Sequence, residues 1–135
     1  MPSLVPIVHR VTRSDLVRYA GASEDFNPIH FDDDAARFYG LDGVIAHGMY
    51  TMGLVTRFIE PLLNQGYRVS EWSNRFRAMV PVNRTIAIDG SIQESTPQRV
   101  VLNIAVTVEN LPKPVLTGTI ILVRGEPFAD PATTN

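Results

Sequence analysis

The stretch GVIAHGMYTMGLVTRFIEPLLNQG, residues 43–66, decides the fold of this chain. Its apolar residues recur at helical spacing, with Tyr50 and Leu54 flanking a stripe formed by positions 49, 52, 55, 58, 59, 62 and 63. The polar residues of this helix are few: Thr51, Thr56, Arg57 and Glu60. Because one face of a sheet covers one side of a helix, the sequence predicts that a sheet and a second subunit together enclose it.

After Gly66 the apolar pattern changes to the period of two that is typical of strands. The pattern predicts four antiparallel strands, the last of them buried on both faces over Ile120 to Val123. Their apolar positions are Trp72, Phe76, Ala78 and Val80; Ile86, Ile88 and Ile92; Val100, Leu102, Ile104, Val106 and Val108; and, after a turn at 111–114, the segment Val115 to Arg124.

The segment before the long helix predicts a strand over Ser3 to Val11 and a short helix whose caps come from Thr12 to Asp15. Residues 21–31 follow neither period, so we expect a shaped loop there. Asp32 to Asp34 suit the first turn of a second short helix, although they are also candidate ligands for a divalent cation. This order predicts an α+β fold in which an antiparallel sheet wraps around one long apolar helix.

The composition sets limits on the class of protein. The chain has 135 residues, 44% of them hydrophobic and 19% charged, so we expect one folded domain over 1–124 and a loose tail over 125–135. The low charged fraction favours an oligomer. The net charge of −2 and the lack of a Lys or Arg run argue against a nucleic-acid partner. With no cysteine, no apolar stretch of membrane-spanning length and no secretory signal, we expect a cytoplasmic protein without membrane contact.

Asp25 and His30 are the candidate acid and base, because a carboxylate and an imidazole five residues apart in one irregular loop can face one water molecule. A hydrogen-bonded structural pair is the alternative. Gly48 stands at the predicted start of the long helix, where backbone N–H groups lack intrahelical partners and favour an oxyanion. Alternatively, Gly48 allows close backbone packing.

The strings SEDFNPIH, residues 23–30, and AHGM, residues 46–49, resemble the MaoC-like dehydratases and (R)-specific enoyl-thioester hydratases. The loop of that family reads D-x-N-P-[IL]-H, and its helix opens with H-G. The likeness covers most of the chain. The strings LVRYAGAS and IAHGMYTMG, residues 16–23 and 45–53, are most similar to the small, catalytic dehydratase subunit of actinobacterial fatty-acid elongation.

The resemblance implies a hot-dog fold and a role for each site residue. Asp25 and His30 are then the catalytic dyad, Asn27 orients the dyad or the water, and the Gly48 N–H stabilises the thioester oxygen. Two positions depart from the family pattern: Glu24 replaces a Gly, and Asn83 and Arg84 stand in the region of a Gly-Asp pair.

The implied reaction is reversible hydration of a trans-2-enoyl thioester of coenzyme A or acyl carrier protein, without metal or organic cofactor. The implied assembly is a homodimer or a heterodimer with another hot-dog subunit. Two alternatives remain: a non-catalytic or half-active partner subunit, and a hot-dog thioesterase. The sequence is compatible with short, long or steroid-like acyl groups, and with either direction of the reaction.

Several other residues have two interpretations. His47 is either a second active-site group or a backbone-bonded residue, and His9 is expected to be structural. Met49 and Met52 suit the core or an acyl tunnel. Arg75, Arg77 and Arg84 either meet phosphates of coenzyme A or form a solvated face.

Overall fold

The computed structural model describes residues 3–125, which form a single antiparallel sheet of five strands in the order β1-β3-β4-β5-β2. Two short helices and a 3-10 turn form the connection between the first strand and the long helix. In chain order the elements are β1 Ile7–Arg10, α1 Arg13–Ser23, a 3-10 turn Pro28–His30, α2 Asp33–Phe38, α3 Gly48–Leu63, β2 Arg68–Phe76, β3 Thr85–Ser95, β4 Arg99–Val108 and β5 Leu116–Val123. Of the tail predicted over 125–135, residues 126–135 lie outside the described part of the chain.

The core lies between one face of this sheet and one face of α3. The inward side chains of β4 are all buried, namely Val100, Leu102, Ile104, Val106 and Val108. The buried apolar side chains of α3 are Leu54, Val55, Phe58, Ile59 and Leu62. Each such side chain contributes about 1.5–3 kcal/mol when removed from water, so this layer dominates the stability of the fold. The predicted α+β hot-dog fold is confirmed.

The apolar stripe of α3 is narrower than its sequence indicated. Met49 is 58% exposed and Leu63 is 38% exposed, whereas Thr51, one of the few polar residues of the helix, is buried. The reason is that the described residues cover the helix on the side of the sheet. Met49 and Leu63 lie outside that contact.

The strand expected through Trp72, Phe76, Ala78 and Val80 ends at Phe76. The prediction that Ala78 and Val80 belong to this strand is therefore wrong. The N–H groups of Arg77 and Ala78 both approach the carbonyl of Val115, which closes the ladder with β5. Val80 then accepts from the Ala46 N–H, at 2.9 Å. The chain therefore leaves the sheet edge and crosses to the segment before α3.

Local signals before α3 are confirmed in part, since the strand expected over Ser3 to Val11 is limited to Ile7–Arg10. Thr12 and Asp15 form a capping box at the start of α1, and Asp32 caps α2 through its side chain. The loop expected over 21–31 is shorter than predicted, because α1 extends through Ser23 and a 3-10 turn forms later. On β5, Ile120 and Leu122 are buried, but the two residues that alternate with them are only half-buried. Within residues 3–125, no helix combines the length and hydropathy that a membrane crossing requires.

Candidate active site

Asp25 lies directly after the left-handed end of α1. Glu24 closes that helix with φ 59°, a conformation that a Gly adopts at least cost. The departure from the family's Gly therefore leaves the turn intact. Asp25 is then held at both sides: its N–H donates to Ser23 Oγ at 3.2 Å, and its Oδ1 accepts from the Asn27 N–H at 3.3 Å.

His30 is presented by the 3-10 turn that follows. Asn27 caps this turn, because its side-chain Oδ1 accepts from the Ile29 N–H at 3.2 Å. The His30 ring is buried, and its Nδ1 lies 2.8 Å from the carbonyl oxygen of Ile45. A carbonyl can only accept, so Nδ1 carries the proton of the neutral ring. The lone pair is thereby left on Nε2.

The structure brings Asp25 and His30 together. The distance from His30 Nε2 to Asp25 Oδ2 is 4.0 Å, which is too long for a direct hydrogen bond. Half of the Asp25 side chain is exposed, with a relative accessibility of 51%. Both atoms can therefore contact one water molecule. Asn27, the third residue expected in this loop, is placed in the backbone turn that carries His30.

His47 packs against both members of this pair. Its ring stacks on that of His30 with centroids 3.7 Å apart, and its Nε2 donates to the carbonyl of Asp25 at 3.2 Å. Burial lowers the pKa of His47 below its ordinary value, and the nearby His30 adds to this, while the Asp25 carbonyl opposes it. Its Nδ1 is buried and has no hydrogen-bond partner among the described residues. The sequence left two interpretations open for His47, and its contacts fit both.

Asp25, His30 and His47 each place one potential metal-ligand atom within 4.8 Å of the others. The lone pair of an imidazole nitrogen lies in the plane of its ring. Two rings stacked with centroids 3.7 Å apart and a tilt of 22° therefore keep their lone pairs in two separate, nearly parallel planes. Zn–N distances are about 2.0–2.1 Å in proteins, and one metal ion cannot lie in both ring planes at such a distance. The cluster suits proton chemistry better than metal binding.

Gly48 is the first residue of α3, as predicted, so its N–H lies in the turn where such groups lack an intrahelical acceptor. A Cβ at this position would lie 3.1 Å from Cε1 of Phe76. Gly48 and Phe76 line a cavity of about 190 Å³ together with His30, Thr51, Val80 and Leu116. An adjoining opening of about 360 Å³ also contains Asp25 and His47.

The sequence did not identify Phe76 as a site residue. Its alternation with polar residues indicated a core strand, but the ring is 48% exposed and covers the start of α3. This contact joins a strand end to a helix start 28 positions away in the chain. No local signal could have indicated it.

A second aromatic layer lies behind His47. Tyr19 contacts His47 edge to face at 4.7 Å and Tyr50 at 5.6 Å. Tyr50 Oη lies 3.0 Å from His9 Nε2, which lies 3.1 Å from Asp15 Oδ2. Burial, followed by the charge of Asp15, raises the pKa of Tyr50 to about 12, so this phenol stays protonated. These contacts fit the structural role expected for His9.

The remaining candidates are scattered. Met49 is exposed at the opening beside Asp25, and Met52 is partly buried against the core. Arg77 donates to Thr117 Oγ1 at 2.8 Å, and Arg75 is exposed on β2. Arg84 lies elsewhere, in a cleft beyond Ile45. The structure therefore does not bring the three arginines together.

A family model described as the MaoC like domain matches residues 5–113 of this chain. A relative from Mycobacterium tuberculosis, 3-hydroxyacyl-thioester dehydratase X, is 41% identical over 71 residues, which are 51% of this chain and 25% of that protein. The 3-hydroxybutyryl-CoA dehydratase of Methylorubrum extorquens is 29% identical over 123 residues, which are 90% of this chain and 78% of that protein. Against fungal fatty acid synthase beta subunits, the chain spans only 4% to 6% of the relatives' length.

Among solved structures, the (R)-hydratase of A. caviae involved in PHA biosynthesis has a TM-score of 0.79 with 22% identity. The superposed region covers 90% of this chain and 93% of that one. At this level of identity the likeness supports the fold: a hot-dog sheet around one central helix.

Proposed function

Because this chain belongs to the family of MaoC-like domains, we propose that it adds water reversibly to trans-2-enoyl thioesters. The product is the (R)-3-hydroxyacyl thioester, and the reverse reaction is the dehydration. The relatives named as 3-hydroxyacyl-thioester and 3-hydroxybutyryl-CoA dehydratases support this reaction class.

The observation that carries the proposal is the placement of three groups around one opening. His30 presents Nε2, the nitrogen opposite the one bound to the Ile45 carbonyl, Asp25 presents a carboxylate 4.0 Å from it, and Gly48 adds an N–H at a helix start. The first two can hold a water molecule. The third is suited to a carbonyl oxygen that gains negative charge during the reaction.

In the proposed hydration, His30 Nε2 accepts a proton from the water while Asp25 orients the second O–H. The water oxygen forms a bond to C3, and the electrons of the double bond move toward the thioester carbonyl. Gly48 N–H donates to the resulting oxyanion. The proton on His30 then passes to C2, so H and OH are added and the site returns to its first state.

His47 acts as a positioning residue in this scheme. It holds the main chain of Asp25 by a hydrogen bond and the ring of His30 by stacking, so it influences the spacing of the pair. Its lowered pKa keeps it neutral near pH 7, which avoids a second positive charge beside His30 when His30 takes a proton.

We also propose a dimer as the working assembly, with an identical chain or another hot-dog subunit. Large apolar side chains are exposed on the single chain, including Val8 at 69%, Met49 at 58% and Phe38 at 84%. Exposed apolar surface of this extent favours association. Light scattering at micromolar concentration measures it, and copurification identifies an unlike partner. An active monomer of 15.0 kDa would contradict this part of the proposal.

The direct test incubates the purified protein with crotonyl-CoA and follows the loss of enoyl absorbance. We expect Asp25→Asn and His30→Ala each to lower turnover at least ~100-fold, because a positioned acid or base supplies about 10²–10⁴ of rate. Asp89→Asn, an exposed carboxylate on β3 that bonds the neighbouring Gly90 N–H, is the matched control and should retain activity.

Three results would contradict the proposal. Equal activity of either site variant would make the pair structural. Release of free CoA without a hydroxyacyl product would favour the thioesterase alternative. Absence of turnover on short, medium and long chains, alone or with a copurified partner, would favour the alternative of a non-catalytic partner subunit.

A further inference from the structure

A second, larger cleft adjoins the cavity behind His30. Its volume is about 460 Å³, and it shares Ile45 and Met79 with that cavity. Ile45 lines the cleft, and its carbonyl oxygen contacts Nδ1 of His30, so a single residue separates the cleft from the proposed base. Its charged lining residues are Arg13, Arg37, Arg84, Asp33 and Asp42. We refer to it as the arginine cleft.

Arg13 is held in place by Asp33. Its guanidinium donates to Asp33 Oδ2 at 3.0 Å, and the other carboxylate oxygen of Asp33 accepts from the Val44 N–H at 3.2 Å. The Val44 N–H lowers the pKa of Asp33, burial opposes this, and Arg13 lowers it further. Asp33 thus stays ionised with both oxygens engaged, and it serves to orient Arg13 in the cleft.

Arg84 reaches the cleft from the turn before β3. Asn83 adopts φ 63° there, and the turn is closed by hydrogen bonds from Asn83 N–H to Val11 O and from Val11 N–H to Arg84 O, at 2.7 and 2.9 Å. Among the described residues, no carboxylate forms an ion pair with Arg84. Its backbone is therefore fixed while its guanidinium keeps its charge available.

Arg37 adds a third guanidinium from α2. Its partner is Asp34, at 3.3 Å, whose side chain is almost fully exposed, so this surface pair competes weakly with a ligand. Three arginines against two aspartates give the cleft a formal charge of +1, in a chain whose net charge is −2. A partly enclosed cleft of this kind concentrates anions.

We propose that the arginine cleft binds the phosphate groups at the carrier end of the thioester, an inference that rests on the proposed function. Guanidinium groups bind phosphate oxygens in pairs with good geometry. The cleft and the cavity that contains His30 and Gly48 share the wall residues Ile45 and Met79, so the two ends of one elongated molecule would lie in neighbouring spaces. Several arginines match coenzyme A, which carries several phosphates, better than a phosphopantetheine arm, which carries one.

Three crotonyl thioesters test this, because they share the acyl group and the pantetheine arm: coenzyme A adds three phosphates and an adenosine, phosphopantetheine adds one phosphate, and pantetheine adds none. We expect KM to rise at least ~10-fold from the coenzyme A to the pantetheine thioester, with phosphopantetheine between them and kcat nearly constant. Arg84→Gln should raise KM for crotonyl-CoA about 10-fold and leave KM for crotonyl-pantetheine unchanged. Arg68→Gln, an exposed arginine on β2 that does not line the cleft, is the matched control for charge.

Equal KM values for the three thioesters, or no effect of Arg84→Gln, would overturn the cleft assignment while the hydratase activity stands. If the wild-type chain turns over none of the three, and no medium-chain or long-chain enoyl-CoA either, alone or with a copurified partner, the proposed function fails. Calorimetry with coenzyme A itself then decides about the cleft. An affinity that falls about 10-fold in Arg84→Gln but not in Arg68→Gln supports the assignment. Equal affinity in all three proteins, or no binding to the wild type, overturns it.

Discussion

Replacing Gly48 with Ala adds one methyl group at the start of α3 and leaves the main-chain N–H in place. The new Cβ would lie 3.1 Å from Cε1 of Phe76 and 3.4 Å from two further ring atoms. Carbon atoms pack best at about 3.5–4.0 Å, so the ring must retreat by about half an ångström. Phe76 is half exposed at the end of β2, so this movement is possible.

The two expected effects of Gly48→Ala are unequal in size. Ala gains up to ~1 kcal/mol over Gly in a helix, and the displaced ring offsets part of this, so the free energy of unfolding should change by less than ~1 kcal/mol. The methyl group and the shifted ring enter the space where the thioester carbonyl must approach the N–H. Since misplacement by about 1 Å costs up to ~10²-fold in rate, kcat/KM should fall ~10–100-fold.

Hydration of crotonyl-CoA and thermal melting of the same samples measure both effects. Gly53→Ala is the matched control, because it lies on the same helix with nothing within 4 Å of the added Cβ. It should keep full activity and gain up to ~1 kcal/mol. A Gly48→Ala enzyme as active as Gly53→Ala would refute the placement of the oxyanion at this N–H. Partial recovery on adding Phe76→Ala would assign the loss to the ring contact.

Three further outcomes follow from the same geometry. His47→Phe keeps a ring against His30 but loses the donor to the Asp25 carbonyl, whereas His47→Gln keeps a donor but loses the ring. We expect each variant to lower kcat by ~10-fold with little change in KM. Wild-type kcat in both variants would exclude a positioning role. Because the pKa of His47 is lowered in the folded state, the unfolded chain binds more protons than the folded chain below pH 6.5. The melting temperature of the wild type should therefore fall as the pH drops below that value. In His47→Phe the melting temperature should fall less over the same pH range. Glu24→Gly relieves a left-handed residue and should raise the free energy of unfolding by ~1 kcal/mol in a thermal melt, whereas Arg18→Gly within the same helix should lower it by a similar amount.

The features that could be predicted from the sequence are those fixed by neighbouring residues. The capping box of Thr12 and Asp15, the cap by Asp32 and the start of α3 at Gly48 each involve a few adjacent positions. The proximity of Asp25 and His30 follows from their place in one loop. Such local patterns need no knowledge of tertiary packing.

The features that were missed depend on contacts between distant segments. The apolar alternation continues past Phe76 to Val80, but the strand ends at Phe76 because the Val115 carbonyl accepts from the N–H groups of both Arg77 and Ala78. The arginine cleft assembles from α1, α2 and the turn before β3, so the sequence indicated Arg84 as a candidate phosphate contact but gave no sign of Arg13 and Arg37 beside it. For the same reason, only the structure shows that the ring of His47 lies on that of His30.

The carbonyl of Ile45, which sets the tautomer of His30, has a consequence for how this site tolerates genetic change. A main-chain oxygen is encoded by every amino acid, so no substitution at position 45 deletes the acceptor. A saturation screen would score this position by the volume of its side chain and would overlook its electronic role. Backbone chemistry can detect it: an ester in place of the amide that follows Ile45 weakens the acceptor and leaves every side chain as it is. The same ester removes the Ala46 N–H that donates to Val80, so a second ester that removes the Val82 N–H, which donates to Val44, is the control for a lost backbone bond. The acceptor that holds the proposed base in its tautomer is thus a group that no amino-acid substitution at position 45 removes.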